Sequence, residues 1–138
     1  MIAEYKLNTV FLEELKDFEI ISFALEGVLL DEFDGTLNPF KEIMQEMCKE
    51  CVKQGKQVII YTKRYDYDDE EESNEIQKIY DFCEKLKVTE VIFTNRNVFY
   101  SYMSNNRKHC HFNNSEYDIV LLNKYKPDIE TLNINNQI

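Results

Sequence analysis

Three groups of side chains in this sequence have the types and spacing to do chemistry. The first is Asp31-Glu32-Phe33-Asp34-Gly35-Thr36-Leu37, where two carboxylates stand three apart at a turn signal. Such a pair could bind Mg²⁺ and serve as nucleophile and acid/base in phosphoryl transfer. In an extended segment, side chains three apart project from opposite faces. A spacing of three needs a bulge. With Asp34-Gly35 at its tip, the stretch from Val28 to Leu37 reads better as a small surface hairpin or flap. An Mg²⁺-dependent phosphohydrolase using Asp31 and Asp34 stays as an alternative.

The second group is Cys48-x-x-Cys51 together with His109-Cys110-His111. Cys-x-x-Cys has the spacing of a redox or zinc pair. It falls inside a helical pattern, not at a helix start that would lower a thiol pKa. Zinc would need the two histidines as well. The cysteines therefore read as core residues of one helix face, and no cofactor is expected. The third group is the acidic run Asp66, Asp68, Asp69, Glu70, Glu71, Glu72 and Glu75, which contains no basic residue. It lacks the glycine and the bidentate glutamate of a calcium loop. Its later acids suit a helix entrance. The run reads as a solvated loop. Alternatively, Tyr65, Tyr67, Asp68, Asp69, Glu70 and Glu71 form a contact surface for a protein partner with a basic face.

The elements that must position these groups follow from hydrophobic pattern. Residues 19–25 are an almost unbroken apolar run, as in a strand buried on both faces. Residues 56–62 and 90–94 repeat that pattern. Asn38-Pro39 predicts a helix start, and the helix runs to about Lys53 with Phe40, Ile43, Met44, Met47 and Cys51 inward. A second helix covers about Ser73 to Leu86, with Ile76, Ile79, Tyr80, Cys83 and Leu86 at helical spacing. The run Tyr117 to Leu122 predicts a fourth strand. Residues 9–17 predict a short helical lead-in within a segment 1–18, and 124–138 a polar tail. Residues 95–115 read as a short helix followed by a polar loop. Phe99-Tyr100-Ser101-Tyr102-Met103 there are either core or an exposed patch for a homodimer or another partner.

Strands alternating with helices predict one α/β domain over 1–138, Rossmann-like, with a parallel sheet flanked by helices. Ligands of such sheets bind at the carboxyl ends of the strands. The positions to watch are 24–27, 62–64, 94–96 and 122–123. The chain has 16 basic and 26 acidic residues, a net charge of -10, which disfavours general nucleic-acid binding. No run of 18 apolar residues supports a membrane span, and Met1 to Lys6 lack the features of a secretory leader. A cytoplasmic protein is expected.

The motifs resemble the haloacid dehalogenase-like (HAD) superfamily, most closely its small capless phosphatases and the phosphatase half of phage-type polynucleotide kinases. In that family an apolar strand leads into Asp-x-Asp-Gly-Thr-Leu. The first Asp attacks phosphorus and the second is the acid/base. Here the string is Ala24-Leu25-Glu26-Gly27-Val28-Leu29, which puts Ala24 at the nucleophile position and Glu26 at the acid/base position. The resemblance implies phosphate-holding roles for Thr62 and Lys63 and a charge-steadying role for Lys108. It puts Leu122 and Asn123 where acids would hold Mg²⁺. A methyl group cannot attack phosphorus, so the resemblance implies a pseudo-phosphatase that binds a protein partner in an inhibitory or regulatory role, and a small, acidic, Asn-rich chain of this kind suits a phage or other accessory protein. A non-hydrolysing module for phosphate or nucleotide, using Glu26, Thr62, Lys63 and Lys108, is the further alternative.

Overall fold

The apolar run after Glu19 forms β1 (Ile20–Ala24), with Ile21 and Phe23 fully buried. Residues 11–32, 34–63, 70–94 and 99–136 are described by this computed structural model. Ahead of β1 lies α1 (Phe11–Glu14), which tightens into a 3₁₀ turn at Leu15–Asp17. Lys56 ties this lead-in to the domain by donating to the carbonyls of Leu15 (2.8 Å) and Phe18 (2.6 Å). Then follow α2 (Lys41–Lys53), β2 (Gln57–Thr62), α3 (Glu70–Leu86), β3 (Glu90–Phe93), β4 (His109–Asn113), α4 (Glu116–Tyr125) and β5 (Glu130–Asn133).

The five strands form one all-parallel sheet in the order β3-β2-β1-β4-β5. The α/β fold class expected from the sequence is what the chain adopts. Its larger core packs α2 and α3 on one face, through Met44, Met47, Cys48, Cys51, Ile79 and Cys83, against Ile21, Phe23, Val58, Ile60, Cys110 and Phe112. Phe23 and Phe112 stack at 5.2 Å between ring centroids. Each such fully buried side chain contributes about 1.5–3 kcal/mol. A smaller cluster on Ile59, Tyr61, Met103, Leu122 and Ile129 closes the other face.

Three local differences from the sequence pattern have physical causes. Tyr117 to Leu122 is not a strand but the body of α4. Ser115 accepts the Asp118 amide (3.3 Å) as N-cap, and Glu116 and Asp118 fill the acidic first turn. The missing central strand is β4, in the segment whose polarity predicts a loop. All five of its residues are buried. The polar tail supplies the edge strand β5, after which Ile134 returns to the core. A smaller shift concerns α2, which begins at Lys41. Asn38 takes the Phe40 amide on its Oδ1 (3.0 Å) and gives its Nδ2 to the Val28 carbonyl (2.8 Å), pinning the loop after β1 to the helix start.

The flap at 28–37 has the expected turn, closed by the Gly35 amide on the Glu32 carbonyl and the Glu32 amide on the Thr36 carbonyl (both 3.0 Å). Its arms form no strand of the sheet. Among the described residues, no helix is long and apolar enough to cross a membrane.

Candidate functional site

The sheet register brings three strand ends together. Ala24 lies beside Tyr61, and Phe23 beside Phe112, so the last residues of β1, β2 and β4 emerge side by side. The strand order reverses between β1 and β4, and the crevice outside that switch point is where open α/β sheets bind ligands. A cavity of about 150 Å³ lies there, lined among others by Ala24, Glu26, Glu32, Lys63, Asn114 and Asp118. Drug-sized ligands occupy pockets of roughly 300–1,000 Å³, so this one suits a head group and not a nucleotide.

Each wall has a definite internal bonding. The Ala24 methyl stands at the tip of β1. The Leu25 amide next to it donates to the Tyr61 carbonyl (2.9 Å), and the Gly27 amide to the Leu30 carbonyl (3.0 Å). Thr62 donates its hydroxyl to the Glu26 carboxylate. Lys63 forms an ion pair with Asp118. Asp118 is 1% exposed, so its carboxylate is held out of solvent. The Lys63 ammonium against it offsets the cost of burying that charge. Asn114 closes the site by donating from Nδ2 to Glu32 Oε1 (2.7 Å), linking β4 to the flap. This latch passes directly over Gly27. A Cβ there would meet the Asn114 side chain, and φ at Gly27 is +84°, a backbone conformation that favours glycine whatever the space.

Beneath the cavity a chain of buried polar groups runs along β1 and β4. Asn113 Oδ1 accepts the amides of Asn114 (2.8 Å) and Ser115 (3.1 Å). Its Nδ2 therefore faces His111 Nε2 (3.2 Å) and donates to it. His111 must then carry its proton on Nδ1 and donate to Ser22 Oγ (2.7 Å). The Ser22 hydroxyl in turn donates to His109 Nε2 (2.6 Å). The order of donors fixes both tautomers and leaves both rings neutral. Burial lowers the pKa of His109 to about 4, and burial with His109 and Lys63 nearby lowers that of His111 to about 3.

The structure sorts the sequence-derived candidates. Ala24, Glu26 and Lys63 line the cavity, as do Thr94 and Tyr61, and Thr62 holds Glu26 at its edge. Asn123 and Leu122 do not belong to it. Leu122 is in the smaller core, and Asn123 accepts the Thr131 hydroxyl (3.0 Å) on the outside of α4. The apolar pattern places both at a strand end, and the segment is helix. Lys108 precedes β4, where its carbonyl takes the amides of Glu19 (2.9 Å) and Ile20 (3.0 Å), at the opposite end of the sheet. Asp31 pairs with Lys41 (2.9 Å) and accepts the Asn38 amide (2.8 Å), while Asp34 caps the flap turn through the Thr36 amide (2.9 Å). Neither lines the cavity.

Tyr65, Tyr67, Asp68 and Asp69 lie outside the described residues. Glu70 and Glu71 open α3. In the aromatic segment, Met103 is core, Tyr100 stacks on Tyr125 at 4.7 Å, and Tyr102 is exposed. All four cysteines are buried free thiols, and burial raises the pKa of each, to about 11 for Cys51 and Cys83. Cys110 faces the larger core, whereas His109 and His111 face Ser22. The described residues contain no group of three side chains placed to hold a metal ion.

Sequence reasoning missed Glu32, Asn113, Asn114, Ser115 and Asp118, and considered His111 only as a zinc ligand. A signal was there: Ser115-x-x-Asp118 ahead of an apolar run is a helix-start pattern. Fold and site together define a parallel α/β domain with a small, carboxylate-rich cavity at its switch point. Beyond that class, no family model, no curated protein and no solved structure matches the chain.

Proposed function

We propose that this chain is a degenerate HAD-like domain, a pseudo-phosphatase that works by binding as an accessory protein and not by turnover. One observation carries the reading: a methyl group, Ala24, stands at the β1 tip inside the cavity, where the resemblance calls for an attacking carboxylate. An aspartyl-phosphate route needs an oxygen nucleophile there. The alternative acids are engaged elsewhere, Asp31 by Lys41 and Asp34 by its own turn. The second alternative, a phosphate or nucleotide module, has less support. Thr62 gives its hydroxyl to Glu26, Lys63 sits on Asp118, and the Leu25 and Gly27 amides bond to carbonyls.

The net charge of -10 favours a partner with a basic face. Four buried, protonated thiols suit a reducing compartment such as the cytoplasm. The test is hydrolysis of p-nitrophenyl phosphate by the purified chain with Mg²⁺. The expected outcome is the rate of buffer alone. Turnover that disappears in Asp31→Asn or Asp34→Asn would replace this proposal with the phosphohydrolase.

A further inference from the structure

We propose that a groove beside His109, on the sheet face of the smaller core, binds a small uncharged aromatic molecule through a hydrogen-bond acceptor that the molecule carries. The groove opens at the amino ends of the strands, where Ile20, Gln57, Glu90 and His109 begin β1, β2, β3 and β4. It shares Tyr61 with the switch-point cavity at the other end. The site stands whether or not the chain is a degenerate phosphatase.

An unpaired donor carries the proposal. The polar chain along β1 and β4 runs in a single direction. Asn113 is fixed, because its Oδ1 holds the amides of Asn114 and Ser115 at the entrance to α4. Its Nδ2 therefore donates to His111, His111 to Ser22, and Ser22 to His109 Nε2. A neutral imidazole that accepts on Nε2 carries its proton on Nδ1. His109 is 3% exposed, and its Nδ1 has no hydrogen-bond partner among the described residues. Leaving such a donor unpaired is costly. Nδ1 is not sealed off, however, and His109 lines a groove of about 200 Å³.

The other lining residues define what would meet that donor. Ile20, Ile59 and Ile92 make an apolar floor across β1, β2 and β3, and Tyr61 and Tyr102 make aromatic walls. Ile20 and Ile92 stay partly exposed. A flat ring packs on such walls by offset or edge contacts. Among the described lining residues there is no Lys or Arg, and the carboxylate is Glu90. Burial keeps His109 neutral, with a pKa of about 4. An anion would find no counter-charge there, and a cation would leave the Nδ1 proton unmatched. Drug-sized ligands occupy roughly 300–1,000 Å³, so this groove suits one ring. Phe and Trp side chains bring no acceptor, which favours a free molecule of the aryl amide type over a protein partner.

The experiment uses the full chain, isotope-labelled at histidine nitrogens and isoleucine methyls, and reads it by NMR. Without ligand, His109 is expected to show a protonated Nδ1 and a bare Nε2. Benzamide, toluene and benzoate are then titrated separately. Benzamide should move the Ile20, Ile59 and Ile92 methyls saturably and shift His109 Nδ1. Toluene, a similar ring without the acceptor, should bind about tenfold more weakly. Benzoate should leave the methyls in place. Tyr102→Ala removes a side chain that is 47% exposed, so the fold should persist while benzamide binding weakens, by about fivefold. The opposite His109 tautomer would overturn the proposal, as would methyls that benzamide does not move, which would mean a groove filled by water alone. Equal affinity for toluene, benzoate binding as tight as benzamide, or full benzamide affinity in Tyr102→Ala would each overturn it too.

Discussion

Ser22 has one proton to give and lone pairs to accept with, and the protein uses both. It takes a proton from His111 and gives its own to His109, so two buried imidazoles depend on a single hydroxyl. Ser22→Ala would leave a ring donor and a ring acceptor unpaired in a site with no exposure, at about 1–3 kcal/mol for each orphaned group. Urea unfolding should show a loss of about 2–6 kcal/mol with an unchanged slope. A loss under about 1 kcal/mol would mean that water or a neighbour replaces the hydroxyl.

The same chain of polar groups sets a pH response. His109 has a folded pKa of about 4 against an ordinary 6.5, and His111 one of about 3. The unfolded chain therefore binds more protons than the folded one between those values. Stability is fully present above pH 6.5 and is lost as pH falls through that window, by about 3 kcal/mol for His109 alone. Thermal melts should decline from pH 6.5 downward, before ordinary carboxylates titrate. In His109→Gln the decline should be shallower. A melting temperature flat from about pH 7 to about pH 5 would contradict both the burial and the neutral tautomers.

At the scale of elements, α4 shows how a short helix can build a site. Its cap, Ser115, and its first-turn acid, Asp118, both face the cavity, and the cap hydroxyl holds the Asp118 amide. Removing the cap in Ser115→Ala should cost about 1 kcal/mol in denaturant unfolding and loosen the wall that carries Asp118. Gly27→Ala should cost more, since it forces a side chain into positive φ and against the Asn114 latch. Its signature would be a displaced Asn114 side-chain resonance, and an unmoved one would show that the flap is not held there.

These elements also mark where the sequence was legible. Strands β1, β2 and β3 and helices α2 and α3 could be read, because continuous apolar runs and helical spacing are patterns that few other structures produce. Ala24, Glu26, Thr62 and Lys63 were legible with them, as the ends of those strands. β4 was not, because His109, His111 and Asn113 look solvated in a one-dimensional pattern. Their mutual hydrogen bonds, which make burial tolerable, exist only after folding. The run Ile119-Val120-Leu121-Leu122 has the β-branched start of a strand, yet Ser115 and the acids around it turn it into helix. Reading β4 as a loop moves the second half of the site to Leu122 and Asn123, and with it hides Asp118.

For the whole molecule, sheet order governs where the fold is hardest to open. β1 has a strand on each side and both faces covered, and it carries the Ala24 tip and the Ser22 hub. β3 and β5 are edges with partly exposed residues. Opening an edge breaks one ladder, whereas opening β1 breaks two and separates Phe23 from Phe112. Amide exchange should therefore be slowest at Ile21 to Phe23 and Cys110 to Phe112, approaching the global unfolding free energy, and faster by orders of magnitude at Thr131 to Asn133. The cavity sits on the slow side of that gradient, with its floor on β1 and β4 and Glu32 reaching it from the flap. Equal exchange rates in β1 and β5 would contradict that gradient and place the opening unit at the whole sheet instead of its edges.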